Sequence, residues 1–182
     1  MSKSISDDNT ELGEPMKDSI SIRKGETMEC INSESTWGVD LAKLTELIRG
    51  KTISKIRMSN SYLVIEFGNE YVSFTVEGDC CSSSYFFDIF GGHNLVGKKV
   101  VEITDIDLQP TDLKITRDDY GEIKVYGYKI VCEPNDDYFD TSNTAVFSFR
   151  NSSNGYYGGS INFANIEPET IPEVAKDIYK VG

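Results

Sequence analysis

The sequence predicts an α+β fold, mainly antiparallel β-sheet with one or two short helices packed on it. Short apolar runs bounded by Gly, Asn and Ser recur along the chain, as strands joined by turns require, whereas helical spacing is rare. Hydrophobic residues make up 38% of the 182 residues and aromatic residues 11%, which is enough for the core of one domain. We expect residues 37–182 to form that domain.

The first 36 residues are expected to be a flexible acidic arm. They mix polar and charged residues without periodicity, and eight acids against four bases give them a net charge of -4. One short strand is expected near Ile20 and Ile22. The N-terminus lacks the apolar stretch of a signal peptide, and no run is long enough to cross a membrane, so we expect a cytoplasmic protein.

The first helix is predicted between Val39 and Ile48, where apolar residues lie at helical spacing. Asp40 is placed to cap its start, and Gly50 is placed to end it. A turn followed by a second short helix is predicted over Gly78–Gly92, capped by Asp79 or a serine and ended by Gly91. A last short helix is expected over Glu173–Tyr179.

Apolar runs predict a series of strands that starts after the first helix. The two residues Gly68 and Asn69 between apolar runs are typical of a hairpin, with Leu63, Ile65 and Phe67 on one face. The predicted strands are Thr52–Met58, Tyr62–Phe67, Tyr71–Val76, Lys99–Leu108, Leu113–Arg117, Ile123–Cys132, Ala145–Arg150 and Ser160–Phe163.

Cysteine and metal chemistry has little support in the residue spacing. Zinc requires paired Cys or His ligands, but the chain has four isolated or adjacent cysteines, Cys30, Cys80, Cys81 and Cys132, and the single histidine His93. Buried, inert thiols are therefore expected. A thiol enzyme would use Cys80 or Cys81 at a helix N-terminus with His93 downstream, but no orienting residue or oxyanion hole is evident. We expect His93 in an exposed loop, and no enzyme activity, metal or cofactor.

The segment Asn151–Gly159 has the most distinctive local composition, NSSNGYYGG. One interpretation is a ligand-binding loop in which Asn151 and Asn154 donate hydrogen bonds and Tyr156 and Tyr157 offer stacking faces. It lacks the glycine patterns that cradle phosphates. The other interpretation is a wide hairpin turn, with Asn154-Gly155 at positive φ and the tyrosines packed on the sheet.

The net charge of -12 excludes nucleic acid and anionic membranes as direct ligands. Residues 102–140 carry eleven acids and four bases, a net charge of -7, whereas residues 37–101 are neutral. Such a run is usually a solvated face, and Asp105-x-Asp107 lacks the rest of a calcium loop. A third interpretation is mimicry of a duplex, since acids two apart on a strand lie roughly 6.6 Å apart on one face and DNA carries one charge per about 1.7 Å of axis.

Two segments carry a resemblance to known proteins: Gly78–Tyr85, GDCCSSSY, and Phe149–Gly159, FRNSSNGYYGG. They resemble a small domain of unassigned function found in phages and mobile elements of Firmicutes, and the resemblance covers roughly residues 38–163. Together with the length and the acidity, these motifs also look like a type II anti-CRISPR protein, an inhibitor of the nuclease Cas9. The resemblance implies a phage protein that acts in the bacterial host and evades its defence.

The implied partner is guide-RNA-loaded Cas9, which reads DNA with arginines and holds it in a basic channel. An acidic surface would occupy those arginines and block target-DNA recognition. The expected contact residues are the acids of the run and two tyrosines among them: Asp105, Asp107, Asp112, Asp118, Asp119, Tyr120, Glu122, Asp136, Asp137 and Tyr138. The alternative function is a phage sponge that sequesters a nucleotide-derived immune signal in the loop of Asn151, Asn154, Tyr156 and Tyr157.

Overall fold

The computed structural model describes residues 19–24, 27–32, 38–108, 121–134 and 142–176. The predicted fold class is confirmed: the described residues are mainly antiparallel strands with one α-helix and two short 3-10 helices. The strands are β1 Ser19–Lys24, β2 Thr27–Asn32, β3 Lys55–Met58, β4 Tyr62–Phe67, β5 Glu70–Gly78, β6 Ser83–Phe90, β7 Val100–Ile106, β8 Glu122–Cys132, β9 Thr144–Ser153 and β10 Gly159–Phe163. The α-helix α1 is Leu41–Ile48, and the 3-10 helices are Gly92–Leu95 and Pro168–Thr170.

Two four-stranded antiparallel sheets face each other across one apolar core. The first sheet has the order β10-β5-β4-β3, and the second has the order β6-β9-β8-β7. Buried residues of both sheets belong to the same cluster, which includes Leu63 and Phe74 of the first sheet and Phe147 and Phe149 of the second. Strands β1 and β2 form a separate hairpin, so the strand expected near Ile20 and Ile22 is confirmed.

Helix α1 forms where the sequence predicts it. The Asp40 side chain accepts hydrogen bonds from the backbone N–H of Ala42 at 3.0 Å and of Lys43 at 3.1 Å, which satisfies two donors at the helix start. Gly50 follows the helix with φ +75°, a conformation that costs glycine little. The Thr45 hydroxyl accepts from Ile103 N at 3.1 Å, which fixes the helix to β7.

The hairpin around Gly68 and Asn69 is also confirmed, because β4 ends at Phe67 and β5 begins at Glu70. Leu63 and Ile65 are fully buried in the core, and Phe67 packs against the same cluster, so the three share a face as predicted. The alternation of apolar residues with period two identified this face correctly.

The helix predicted within Gly78–Gly92 is wrong, since Ser83–Phe90 is strand β6, paired with β9. A bulge between Phe86 and Asp88 inserts one residue, so Phe86 and Ile89 both face the core although they are three apart. That spacing resembles one turn of a helix. The left-handed Gly91 at φ +73° therefore ends a strand.

The helix predicted over Glu173–Tyr179 is wrong for its described part. Glu173 forms an isolated antiparallel bridge with Arg57, and Val174 N donates to Ile56 O at 2.8 Å, so the backbone continues the first sheet beside β3. Ile171 belongs to a small second core on the outer side of that sheet. Residues 177–179 and the predicted strand Leu113–Arg117 lie outside the described residues.

No helix in the part of the chain that the structure describes is both long enough and apolar enough to cross a membrane.

Candidate functional site

The chain passes between the two sheets at two neighbouring places, from β5 to β6 and from β9 to β10. The first crossing is a tight turn in which Ser82 N donates to Asp79 O at 3.0 Å. The second is the loop that follows Ser153. We call residues 78–84 and 151–160 together the crossing corner. It contains most of the two segments that carry the resemblance, which are about seventy residues apart in the sequence.

Hydrogen bonds join the two crossings directly. The Gly158 carbonyl accepts from Asp79 N at 3.0 Å and from the Ser82 hydroxyl at 3.1 Å. The Asn151 side-chain Nδ2 donates to the hydroxyls of Ser82 and Ser84, both at 3.0 Å. The corner is therefore held by contacts between residues distant in the sequence.

The predicted ligand loop is only partly a surface loop. Asn151 is fully buried on β9; its Nδ2 donates to the two serines, whereas its buried Oδ1 has no hydrogen-bond partner among the described residues. Asn154 is exposed, and its Oδ1 accepts from Tyr156 N at 3.2 Å. Tyr156 is 89% exposed, so the prediction that it packs on the sheet is wrong, whereas Tyr157 is half-buried.

The wide hairpin predicted for the same loop is wrong, because β9 and β10 belong to different sheets. Gly155 has φ +92°, as expected, but Asn154 does not have positive φ. Pairing with β8 on one side and β6 on the other holds β9 in the second sheet, so the chain must cross to reach β5.

The cysteines are not all buried, contrary to the sequence-based expectation. Cys80 and Cys81 are exposed in the turn before β6, whereas Cys132 is buried. The side chain of Cys30 lies outside the part of the chain that the structure describes. Burial raises the pKa of the Cys132 thiol to about 11. The pKa of Cys80 is raised by its hydrogen bond with Cys81 and by that neighbour's charge.

The parts of a thiol enzyme are not brought together. Cys80 and Cys81 precede a strand instead of a helix, so no helix N-terminus faces either thiol. His93 is exposed, as predicted, but it lies beyond the other end of β6, whose 8 residues span roughly 26 Å. Among the described residues, no group of three or more His, Cys, Asp and Glu side chains is arranged to hold a metal ion.

A cavity of about 390 Å³ opens at the crossing corner. Glu77–Cys80 line one side of it, and Gly158–Ser160 line the other. Three glycines among these residues keep side chains out of the space. The corner thus combines an exposed thiol pair, an open cavity and the exposed ring of Tyr156.

Three of the predicted partner-binding acids lie within the described residues, and all three are exposed. Asp105 and Asp107 are at the end of β7, and Glu122 begins β8. Asp105 is opposite Tyr128, six residues along β8 from Glu122, so Asp105 and Glu122 are roughly 20 Å apart. We call these three residues the acidic edge. Outside the described residues lie the others: Asp112, Asp118, Asp119, Tyr120, Asp136, Asp137 and Tyr138.

Aromatic residues stand beside the acidic edge. Tyr126 stacks on Phe149 with ring centroids 4.6 Å apart, and Tyr128 stacks on Phe147 at 5.1 Å. Burial, followed by the charge of Asp105, raises the pKa of Tyr128 to about 12. Both tyrosines and Asp105 line a cleft of about 410 Å³. A cation that reached Asp105 would therefore also meet aromatic side chains.

A buried polar cluster on β9 and β6 was not predicted from the sequence. Asp88 accepts a hydrogen bond from Ser148, and the Arg150 guanidinium lies 3.3 Å from the ring centroid of Phe87. Burial raises the pKa of Asp88, and the Ser148 hydrogen bond and the charge of Arg150 oppose that shift. Pairing of β6 with β9, shifted by the bulge, places these groups together, and no local sequence pattern reveals it.

A family profile matches residues 46–163, and the family is described as a domain of unknown function, DUF7448. The chain belongs to the DUF7448 family. An uncharacterized protein, L278, of Acanthamoeba polyphaga mimivirus is 31% identical to it over 119 residues, which cover 59% of this chain and 82% of that protein. No solved structure is significantly similar to this chain. The family match includes the whole crossing corner and all three residues of the acidic edge.

Proposed function

We propose that this chain is an anti-CRISPR inhibitor that binds guide-RNA-loaded Cas9 and blocks recognition and cleavage of target DNA with an acidic, DNA-mimicking surface. The observation that carries the proposal is the net charge of -7 over residues 102–140, of which Asp105, Asp107 and Glu122 are exposed. The resemblance of the two crossing segments and a relative from a virus support a viral origin.

The position of β8 explains how the acids could cover a duplex-sized length. Glu122 begins β8, and Glu133 directly follows its last residue; both side chains are exposed. The strand has 11 residues and spans roughly 33–36 Å. One turn of B-DNA is about 34–36 Å long. The exposed acids at the two ends of β8 are therefore separated by about the length of one duplex turn.

Electrostatics supplies the mechanism. Cas9 holds nucleic acid in a positively charged channel and reads the motif beside its target with arginines in the major groove. A strongly acidic partner is drawn to such a channel by long-range attraction, which raises the association rate. Once bound, it excludes DNA from the same arginines. Since the contact is mainly electrostatic, affinity for guide-loaded Cas9 should fall steeply as salt is increased.

Charge reversal tests the proposed surface. A variant with Asp118, Asp119, Asp136 and Asp137 all changed to Lys should lose inhibition in a DNA-cleavage assay with guide-loaded Cas9. A matched control reverses four exposed acids outside the run: Glu46, Glu77, Glu167 and Glu169. The control has the same net charge and should keep its inhibitory potency. Full potency in the first variant, with a normal unfolding curve, would contradict the proposal.

The alternative, a sponge for a nucleotide-derived signal, stays a prediction. The exposed ring of Tyr156 in the crossing corner favours it, whereas the burial of Asn151, whose Nδ2 is bonded to two serines, does not. A tight ligand raises the melting temperature by mass action, so cyclic nucleotides should stabilise the protein if this function is correct. Loss of that shift in Tyr156→Ala would assign the site.

A further inference from the structure

Cys80 and Cys81 form an exposed pair of neighbouring thiols that the proposed function does not use. Their sulfur atoms are 3.6 Å apart, and both residues are exposed. Neither belongs to the apolar core, so their packing contributes little to the fold. We call Cys80 and Cys81 the vicinal thiol pair.

The backbone holds the two sulfurs on a turn that disfavours cysteine. Cys81 has φ +60°, and it is the one non-glycine residue with positive φ among the described residues. Cys80 therefore has negative φ, which together with the Ser82 N to Asp79 O hydrogen bond gives the pattern of a type II turn. Glycine is the usual residue at the position of Cys81. A cysteine in this left-handed conformation is strained relative to glycine.

The turn is fastened on both sides of the pair. Cys80 N donates to Asp79 Oδ1 at 2.7 Å, Asp79 N donates to Gly158 O, and the Ser82 hydroxyl donates to the same carbonyl. These hydrogen bonds therefore fix the backbone that carries the two thiols. Cys80 also lines the corner cavity of about 390 Å³, which leaves room for a small reagent to approach.

We propose that the vicinal thiol pair is a reversible modification site that exchanges with low-molecular-weight disulfides such as glutathione disulfide and closes to a Cys80–Cys81 disulfide. A thiolate of the pair attacks one glutathione sulfur, forms a mixed disulfide and releases one glutathione thiolate. The second cysteine, as thiolate, attacks the protein sulfur of the mixed disulfide and releases the other glutathione. The pair loses two protons and two electrons, and the glutathione disulfide gains them.

The geometry predicts that the closed form is easily reduced. Neighbouring Cα atoms across a trans peptide are about 3.8 Å apart, below the roughly 4.4–6.8 Å usual for disulfides. A strained, exposed disulfide belongs to the labile class that opens in a reducing cytoplasm. Because the neighbouring Cys81 raises the pKa of Cys80, exchange should become faster as pH rises and more thiolate forms.

The test is thiol exchange on the full chain in glutathione buffers of increasing oxidised fraction, followed by alkylation and mass spectrometry. The wild-type protein should lose the two alkylatable thiols of the pair together, without a stable glutathione adduct, and should recover them in excess reduced glutathione. Peptide mapping should place the loss of two hydrogens on the peptide that contains both residues.

Single variants separate closure from simple exposure. Cys80→Ser and Cys81→Ser should each keep a glutathione adduct on the remaining cysteine, because no second thiol can displace it. Cys132→Ser, which removes a buried thiol, is the matched control and should close like the wild type. Circular dichroism should show all three folded. The proposal is overturned if the wild type retains the adduct, or if either cysteine of the pair bridges to Cys30, Cys132 or another chain.

Discussion

The crossing corner and the acidic edge use polar residues in opposite ways. In the corner, Asn151, Ser82 and Gly158 direct their polar groups at one another, and Asn151 is fully buried. At the acidic edge, Asp105 and Asp107 are exposed at the end of a strand. Hydrogen bonds in the corner join distant parts of the chain, whereas the edge presents charge to solvent.

This difference separates stability from recognition. A buried polar group that loses its partner costs free energy of folding, because water does not replace the lost bond. An exposed carboxylate is hydrated in the folded and in the unfolded chain alike. Its replacement therefore affects mainly the electric field that a partner senses. We therefore expect substitutions of the buried, hydrogen-bonded residues of the corner to destabilise the protein and substitutions at the edge to weaken binding.

The largest effect is expected for Gly159→Ala in the corner. A Cβ at this position would overlap the Ser84 hydroxyl and lie 3.1 Å from Asn151 Nδ2, so both hydrogen-bonding partners must shift. Overpacking of this kind should lower the free energy of unfolding by about 2–3 kcal/mol in urea titrations. The control Gly158→Ala meets only the Tyr126 hydroxyl, at 3.2 Å, and should lose much less. Equal losses would show that the corner is not tightly packed at Gly159.

A smaller loss is expected for Asn151→Ala, which removes both hydrogen bonds to Ser82 and Ser84. The two serine hydroxyls lose a donor, and the free energy of unfolding should fall by about 1–2 kcal/mol. Asn154→Ala is the matched control, since Asn154 is exposed on the loop of the same corner. If chemical denaturation gave both variants wild-type stability, Asn151 would not be what joins the crossings.

A pH-dependent effect is expected at Asp88, the acid that contrasts most with the exposed edge. Burial raises its pKa in the folded state above the ordinary value of about 3.9. At pH values between the ordinary pKa and the raised folded-state pKa, the folded protein binds more protons than the unfolded chain. The stability that the protonated Asp88 contributes is therefore lost as pH rises through the folded-state pKa. Asp88→Asn, which cannot ionise, should lack this loss. As pH rises through this range, the free energy of unfolding of the variant should therefore increase relative to that of the wild type. A difference that stays constant with pH would contradict the raised pKa of Asp88.

The smallest effect on stability is expected for the double variant Asp105→Lys, Asp107→Lys. Both residues are exposed, so the free energy of unfolding should change by no more than about 0.5 kcal/mol. Binding to guide-loaded Cas9 should nevertheless weaken, most clearly at low salt, where surface charges are least screened. Thermal unfolding and binding measured on one preparation check both statements. A large loss of stability would show that these acids stabilise the fold, as the buried residues of the crossing corner do.

Local patterns in the sequence predicted the features of the fold that depend on interactions between residues close together in the chain. The cap at Asp40, the two-residue turn at Gly68 and Asn69 and the alternation of Leu63 with Ile65 each involve residues a few positions apart. Such signals depend on backbone conformation and on side-chain periodicity, which can be read without knowing the rest of the fold. The mainly antiparallel fold class follows from them.

The tertiary structure alone decided the features that depend on pairing between distant strands. The sequence predicts a helix where strand β6 lies, because the bulge beside Phe86 breaks the period of two, and only its pairing with β9 shows it as a strand. The contact of Asp79 and Ser82 with Gly158 depends on two sheet crossings that meet in space. The sequence by itself determined most of the strands, helix α1 and the concentration of acids, because these are local or compositional properties. Which polar residues are buried against each other was decided by long-range packing.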